Sequence, residues 1–362
     1  MTPLKQLTIR GFKSIRSLEN FELRPLNILI GANGAGKSNF LAFLEMLHAL
    51  EDQRLQVHVQ EHDGPDALLY GSRRITERID IELDFARFGY GAALIPAGAR
   101  LIFESENMWS ANDSIQTHYN LGSGHEESHL QDANTALSPA LRLIMSLGHL
   151  DKYSFGETSS RAQVRQAQSV RDNFRLDRDA GNLAPFLRRI REQHPASYTR
   201  ILETIRLAAP FFDDFAYRKA SNDDRVELEW LEKRFPDTPR SPRALSDGTL
   251  RFIALASLLL QPTELQTEII VIDEPELGLH PYALGLLGAM LRQCSEQRQI
   301  IVSTQSAELL TDMKPEDIVV VDREDDASCF KRLDAKELGD WLQDYSLADL
   351  WRSNVLGGRP RR

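Results

Sequence analysis

Residues 31–38 read Gly31-Ala32-Asn33-Gly34-Ala35-Gly36-Lys37-Ser38, and with their flanks they restrict the fold more than any other stretch of the chain. The run before them, Leu26–Ile30, is short and apolar enough to be a buried strand. The run after them, Asn39 to Leu50, is apolar at spacings of three and four and reads as a helix. Strand, glycine loop and helix, in that order, aim backbone N–H groups and the positive end of a helix at one anionic group. The pattern G-x-x-x-x-G-K-S in this setting is a phosphate loop. It predicts that Asn33, Gly34, Ala35, Gly36, Lys37, Ser38 and Asn39 wrap the triphosphate of a nucleotide, which the resemblance given below implies is ATP. Lys37 is expected on the β- and γ-phosphates, and the Ser38 hydroxyl on Mg²⁺.

A second motif lies far downstream. Glu268 to Ile272 is a near-continuous apolar strand ending in Asp273-Glu274-Pro275-Glu276. A strand buried on both faces that delivers two carboxylates at its C-terminal end suits a parallel sheet, where ligands bind at that edge. Asp273 is expected to hold Mg²⁺ through water, and Glu274 to polarise the attacking water. Between the two motifs stands Ala244-Leu245-Ser246-Asp247-Gly248-Thr249-Leu250-Arg251, followed by the apolar helix Phe252–Leu260. Ser246 and Gly248 are small and sit at a helix start, where close approach and N–H donors favour an anion. Ser246 or Asp247 also suits an ordinary N-cap.

The 362 residues are 42% hydrophobic, enough for a large core, and the formal net charge is −10. An acidic chain is not a general polyanion binder, so contact with DNA would be local. The candidate patches are Arg73-Arg74 with Arg78, Arg188-Arg189 with Arg191, Lys233-Arg234 to Arg243, and Arg359 to Arg362. Each reads first as a solvated face. Cys294 and Cys329 have no metal spacing, and Met1 to Lys5 shows no signal-peptide core, so a cytoplasmic location is expected. Phe252–Leu260, the longest apolar run, is too short for a bilayer, and no membrane partner is expected.

Leu4 to Ile15 and Phe21 to Leu23 read as strands, and Lys13 is placed to edge the adenine. Alternation over Ile79–Phe85 and Val226–Trp230 predicts strands with one wet face. A loop or hairpin is expected over 110–135, helices over 139–150 and 183–209, and a linker from Pro236 to Pro242. After Leu245 the pattern is α/β, with a helix from Pro281 to Cys294 and strands at Gln299–Ser303 and Ile318–Val321. The nucleotide site is therefore expected to be split, with its core at 1–50 and 245–325. An insertion would occupy 51–244, and a docking extension 326–362. Trp341, Tyr345 and Trp351 are expected to dock on the core. His125-Glu126-Glu127-Ser128-His129 fits H-E-x-x-H, but Gly122-Ser123-Gly124 precedes it, and it reads as a solvated loop rather than a zinc helix.

These motifs resemble the ATPase heads of the SMC, RecF and OLD group of ABC-type ATPases. The resemblance rests on Gly11-Phe12-Lys13-Ser14, Gly36-Lys37-Ser38-Asn39, and Asp273 to Glu276 with Leu279-His280-Pro281. More narrowly, the chain resembles stand-alone bacterial ATPases of the AAA-twenty-one or AAA-fifteen grouping. There the matching stretches are Leu245–Arg251, Ser303-Thr304-Gln305-Ser306, and Tyr345 to Pro360. The resemblance implies an α/β fold, an ABC-type P-loop NTPase with a split nucleotide-binding lobe and an inserted α+β and helical subdomain. It implies that Ser246, Asp247 and Gly248 form a signature that caps ATP bound to a partner subunit, hence an ATP-dependent head-to-tail homodimer.

Three departures narrow the expectation. Pro185, Pro195 and Pro210 interrupt the inserted helices and no heptads persist, so long coiled-coil arms are not expected. Too few residues follow Gln305 for a C-terminal nuclease domain. Gln305 stands where ABC ATPases usually have a catalytic histidine, and its amide cannot titrate. The implied function is an ATP-driven switch of a DNA-maintenance or anti-phage defence system, working with a separately encoded nuclease or toxin. The alternative is a regulatory scaffold that sequesters an effector with little turnover. A transporter subunit is disfavoured by the Gly11–Ser14 opening and the insertion.

Overall fold

The computed structural model describes residues 3–112, 115–133, 150–217, 224–339 and 341–358. Its strands, in chain order, begin with β1 (Gln6–Phe12), β2 (Ile15–Glu22) and β3 (Leu26–Ile30). β4 (Ile79–Asp84), β5 (Phe88–Ala97), β6 (Arg100–Asn112), β7 (Ile115–Gly122) and β8 (Leu150–Tyr153) follow. Then come β9 (Gln168–Ser169), β10 (Phe212–Ala216), β11 (Arg225–Val226), β12 (Glu229–Glu232) and β13 (Phe235–Arg240). The last are β14 (Ile269–Asp273), β15 (Gln299–Thr304), β16 (Ile318–Glu324) and β17 (Ala327–Arg332).

The central sheet runs β17-β16-β3-β15-β14-β8, with β16, β3, β15, β14 and β8 parallel and β17 antiparallel at one edge. The continuous apolar runs of β14, β15 and the start of β16 are explained by burial on both faces. On β3 and β14, Ile28, Ile30, Ile270 and Ile272 point into one hydrophobic cluster. Leu29, Ile269 and Val271 point into the other. Helices at Leu183–Gln193, Pro195–Ala208, Asp247–Leu260 and Pro281–Ser295 cover the first face. The second is covered by the helix Lys37–Glu51 and by an antiparallel sheet in the order β2-β1-β4-β5-β6-β7. The boundaries drawn near 50 and 245 thus cross both sheets. β4–β7 extend the sheet begun by β1 and β2, and β8 pairs with β14.

Several local expectations change. Leu4 to Ile15 is not one strand, because the chain reverses at Lys13, whose φ is 47°, and Ile15 begins β2. The 183–209 helix is two helices, since Pro195 cannot continue the first and instead opens the second. Pro236 to Arg240 lies in β13, not in a linker; β13 is an edge strand, where proline is tolerated. Val226 to Trp230 is split between β11 and β12. The 110–135 stretch keeps the hairpin expected of it, as the antiparallel β6–β7 pairing. The helix expected over 139–150 falls outside the described residues, except Leu150, which starts β8. Trp351 is buried in the core, whereas Trp341 and Tyr345 are exposed and pack on each other with ring centroids 5.8 Å apart. Among the described residues no helix is long and apolar enough to cross a membrane.

The helix that starts at Lys37 ends on Glu51, a buried carboxyl that accepts from Gln131 Nε2 at 2.7 Å. Burial raises its pKa to about 7, with Asp52 adding to the rise. The folded state therefore holds this proton more tightly than the unfolded chain, and its contribution to stability is lost as pH rises through 7. Glu51→Gln is expected to raise the melting temperature relative to wild type by an increment that grows between pH 5 and pH 8. Differential scanning calorimetry across that range checks it; an increment independent of pH would contradict the assignment.

Candidate functional site

Three adjacent parallel strands end side by side. β3 runs into the phosphate loop, β14 ends at Asp273, and β15 ends one residue before Gln305. The register Asp273↔Ser303 and Thr304↔Ile30 brings those ends level. The loop closes on glycines for a spatial reason. Gly36 has φ 116°, and a Cβ there would run into the Ser328 hydroxyl. That hydroxyl donates to the Ala35 carbonyl at 2.7 Å and accepts from Ser14 Oγ at 2.6 Å. Ser14 in turn accepts from Asn39 Nδ2 at 2.6 Å. The Ser14 of the opening motif, the loop, its helix and the β16–β17 hairpin are one hydrogen-bonded frame.

Lys37 is buried and donates to the carbonyls of Gly31 at 2.6 Å and Ala32 at 3.1 Å. Burial pulls its pKa below the ordinary value, and Glu274, Glu276 and Asp273 pull it back. Asn33, Gly34 and Ser38 are exposed at the mouth of the loop. Asp273 Oδ1 accepts from Ser303 Oγ, and Oδ2 lies 3.5 Å from Lys152 Nζ. Glu274 sits at φ 44°, a left-handed conformation that a non-glycine residue adopts at a cost. The cost is offset by Glu274 N–H donating to the Ser303 carbonyl at 2.9 Å and by the Gln305 amide donating to its carboxylate. Gln305 N–H donates to Glu276 Oε1 at 2.8 Å, and burial raises the Glu276 pKa. Lys13 and Asn39 line an open cleft of about 930 Å³ with Ser14, Tyr70 and Arg323.

The signature stands at the start of the helix Asp247–Leu260. Ser246 caps it, accepting from Thr249 N–H at 3.2 Å, and Ser246 and Asp247 are exposed. Gly248 packs so closely on the Gly278 carbonyl that a Cβ would collide with it. Two arginines, Arg165 and the Arg251 that closes the Leu245–Arg251 stretch, join this helix start to the rest. Arg165, buried, donates to Thr158 O at 2.7 Å, Leu245 O at 3.2 Å and Asp247 Oδ1 at 2.8 Å. Arg251 donates to Phe155 O at 3.0 Å, Gly156 O at 2.7 Å and Leu277 O at 2.9 Å. It thereby ties the signature helix to the loops after β8 and β14. The C-terminal end also reaches the site, for Gly358 O accepts from Ala32 N–H at 3.0 Å.

The H-E-x-x-H stretch is not a solvated loop throughout. His125 and His129 are partly buried and stack at 3.9 Å and 17°, beside the buried carboxylate of Glu106. Glu106 accepts from Tyr90 OH at 2.8 Å, Ser128 Oγ at 2.5 Å and His129 N–H at 2.9 Å. One ring nitrogen of each histidine and a carboxylate oxygen of Glu106 lie within 4.8 Å of one another, a grouping that could hold a metal ion, with His125 Nε2 2.9 Å from Glu106 Oε2, while the motif's Glu126 turns away to Arg100. The cluster reads as a hydrogen-bonded knot. In the basic patches Arg73, Arg78, Arg188 and Arg191 each face a carboxylate. Arg359 to Arg362 lie outside the described residues.

The fold is that of an SMC-type ATPase head, and two models of ATPase domains match the chain in turn. Residues 144–311 match the family described as "AAA domain, putative AbiEii toxin, Type IV TA system", and residues 3–147 match "AAA ATPase domain". The fold is similar to the Smc head domain with an extended coiled coil bound to the C-terminal domain of ScpA, from Pyrococcus furiosus. That match has a TM-score of 0.58 at 14% identity and covers 95% of this chain and 99% of that one. It is also similar to an Smc head bound to the C-winged helix domain of ScpA, with a TM-score of 0.55 at 15% identity, covering 92% and 98%. A comparison with curated proteins gives no match.

Arg165 and Asp247 form an asymmetric pair, with side-chain exposures of 5% and 61%. Arg165→Met leaves buried carbonyls without a donor and is expected to cost about 3–5 kcal/mol. Asp247→Asn, at the exposed end, is expected to cost less than about 1 kcal/mol. Urea denaturation of the two variants measures the asymmetry; equal losses would contradict it.

Proposed function

We propose that the protein binds and hydrolyses Mg-ATP in a head-to-tail dimer and acts as a nucleotide-driven switch. The observation that carries the hydrolytic reading is the meeting of Lys37, Ser38, Asp273, Glu274 and Gln305 at the ends of β3, β14 and β15. The donor set fits a hard cation: the Ser38 hydroxyl and Asp273 carboxylate offer oxygens only, beside a loop whose Gly36 has no room for a side chain. Mg²⁺ held by Ser38 and Asp273 would neutralise charge on the β- and γ-phosphate oxygens. Lys37 would leave the Gly31 and Ala32 carbonyls for those same oxygens. The loop N–H groups from Asn33 to Asn39 would cradle the phosphates. Glu274, fixed by the Gln305 amide, would take the proton of the attacking water. Lys13, at the cleft beside Ser14, would border the base.

Ser246 and Gly248 are exposed or half-exposed at a helix N-terminus. In a two-fold arrangement each signature would cap the phosphates bound to the other chain, and both sites would be alike. ATP then holds the dimer together and hydrolysis releases it. The core would draw its nucleotide-binding segments from 1–50 and 245–325, while 51–244 and 326–362, which complete both sheets, would also offer surface to partners. A role in DNA maintenance or defence, with a separate nuclease or toxin, is supported by the toxin–antitoxin system named in one matching family. The similar heads engage a separate polypeptide, ScpA, which supports an output read by another chain.

Glu274→Gln is expected to keep ATP affinity and slow hydrolysis by at least about 100-fold, because the amide cannot accept the proton. A phosphate-release assay beside a binding titration tests this, and hydrolysis at the wild-type rate would show that another residue is the base. Ser246→Arg is expected to leave ATP binding by the single chain intact while abolishing the ATP-induced dimer. Light scattering with ATP and Mg²⁺ tests it; a variant that dimerises like wild type would rule out the head-to-tail arrangement.

A further inference from the structure

The carboxylate assigned to the metal already has a cation of its own. Lys152 lies on β8, the edge strand parallel to β14, in register with Val271. Its Nζ is 3.5 Å from Asp273 Oδ2 and 3.3 Å from Glu45 Oε1. Asp273 Oδ1 is committed to Ser303, so Lys152 occupies the remaining oxygen. Glu45 lies on the phosphate-loop helix, two turns beyond Ser38 and on the same face. One ammonium is thus shared between the metal-side carboxylate and a second carboxylate that gives it somewhere to go. Its side chain is only 20% exposed, and it lines a polar cavity of about 500 Å³ with Glu45, His48 and Arg178.

We propose that Lys152 is a positioning residue that makes metal binding depend on nucleotide. This rests on the reading of Asp273 as the metal-side carboxylate. Without ATP, Lys152 holds Asp273 and keeps a divalent cation from pairing with it. When triphosphate brings its own negative charge, the cation gains phosphate oxygens, and Lys152 moves wholly onto Glu45. The displacement is small, because both carboxylates are already within ion-pair distance. A lysine serves here because its ammonium is a compact charge on a flexible stem. The arrangement would keep the nucleotide-free protein from trapping Mg²⁺ and closing early.

The sign of the effect separates this role from a structural one. Lys152→Met removes both a competitor and a repelling charge, and leaves Asp273 and Glu45 facing the same space. Nucleotide-free full-length variant should bind Mn²⁺ at least about tenfold more tightly than wild type, a change readily produced by one unit charge at this range. Glu45→Gln should do the reverse, since Lys152 is then left to Asp273 alone. Mn²⁺ titration followed by electron paramagnetic resonance reads both, and Lys152→Gln repeats the first if the methionine variant is poorly folded. Tightening that disappears in Lys152→Met/Asp273→Asn supports the proposal. Mn²⁺ affinity in Lys152→Met equal to or weaker than wild type overturns it, as does tightening that survives loss of Asp273. A separate titration of wild type with a fluorescent ATP analogue, with and without Mg²⁺, distinguishes the failures. If Mg²⁺ does not strengthen nucleotide binding there, the metal reading of Asp273 fails, and the Lys152 proposal with it. If it does and the Mn²⁺ result is negative, only the Lys152 proposal fails.

Discussion

A lysine ammonium placed in the interior, with three acid groups near enough to act on its charge, is the constraint around which this molecule is arranged. Lys37 is buried and rests on two backbone carbonyls, while Asp273, Glu274 and Glu276 hold its pKa up against burial. Carbonyls and carboxylates from distant parts of the chain must all be in place for that charge to be tolerated. Parallel strands do this economically, because their C-terminal ends lie level and each can carry one functional segment. The same ends leave Ser38 and Gly34 open to solvent.

The two-sided burial of the central sheet explains why this edge is stiff. The faces of β3 and β14 feed separate hydrophobic clusters, so a slip by one residue would bring the wrong side chains to both. On the helical face, Arg165 and Arg251 carry that stiffness to the signature. Between them they hold carbonyls at Thr158, Leu245, Phe155, Gly156 and Leu277. Arg251, on the helix that Ser246 caps, thus bonds directly to Leu277 in the turn that Glu274 opens. On the other face, the Ser14–Ser328–Ala35 frame links the phosphate loop to the hairpin at the opposite edge of the sheet. A site so tied to both lobes suits a switch, since few of its parts can move alone.

Electrostatics gives the site a built-in order of events. Lys37 rests on the Gly31 carbonyl and Lys152 on the Asp273 carboxylate, and in the proposed reading the nucleotide would draw off the first lysine and its cation would displace the second. Each has a nearby alternative, phosphate for the one and Glu45 for the other. Gln305 contributes a neutral amide where a titratable ring would add pH dependence, and it holds Glu274 by hydrogen bonding alone.

The sequence by itself determined the local structure at the two strongly patterned places, because there the strand, the turn and the side chains proposed to act are contiguous. Gly31 to Ser38 needs its strand and helix neighbours in the chain, and Ile269 to Glu274 carries its carboxylates on the strand that buries them. The cap at Ser246 was equally local. What only the tertiary structure decided depends on partners far apart in sequence. Lys152 meets Asp273 because β8 pairs with β14, and a four-residue strand announces neither its register nor its side chain's reach. Arg165 and Arg251 carry no local signal, since their partners are backbone carbonyls that any residue supplies. Glu106 joins His125 and His129 across a β-hairpin, so the motif's own Glu126 was a poor guide to the carboxylate that matters there. Nor does the antiparallel sheet respect the split read along the chain. Strands pair by burying a common face, and β1 and β4 do so across the phosphate-loop helix that separates them in sequence.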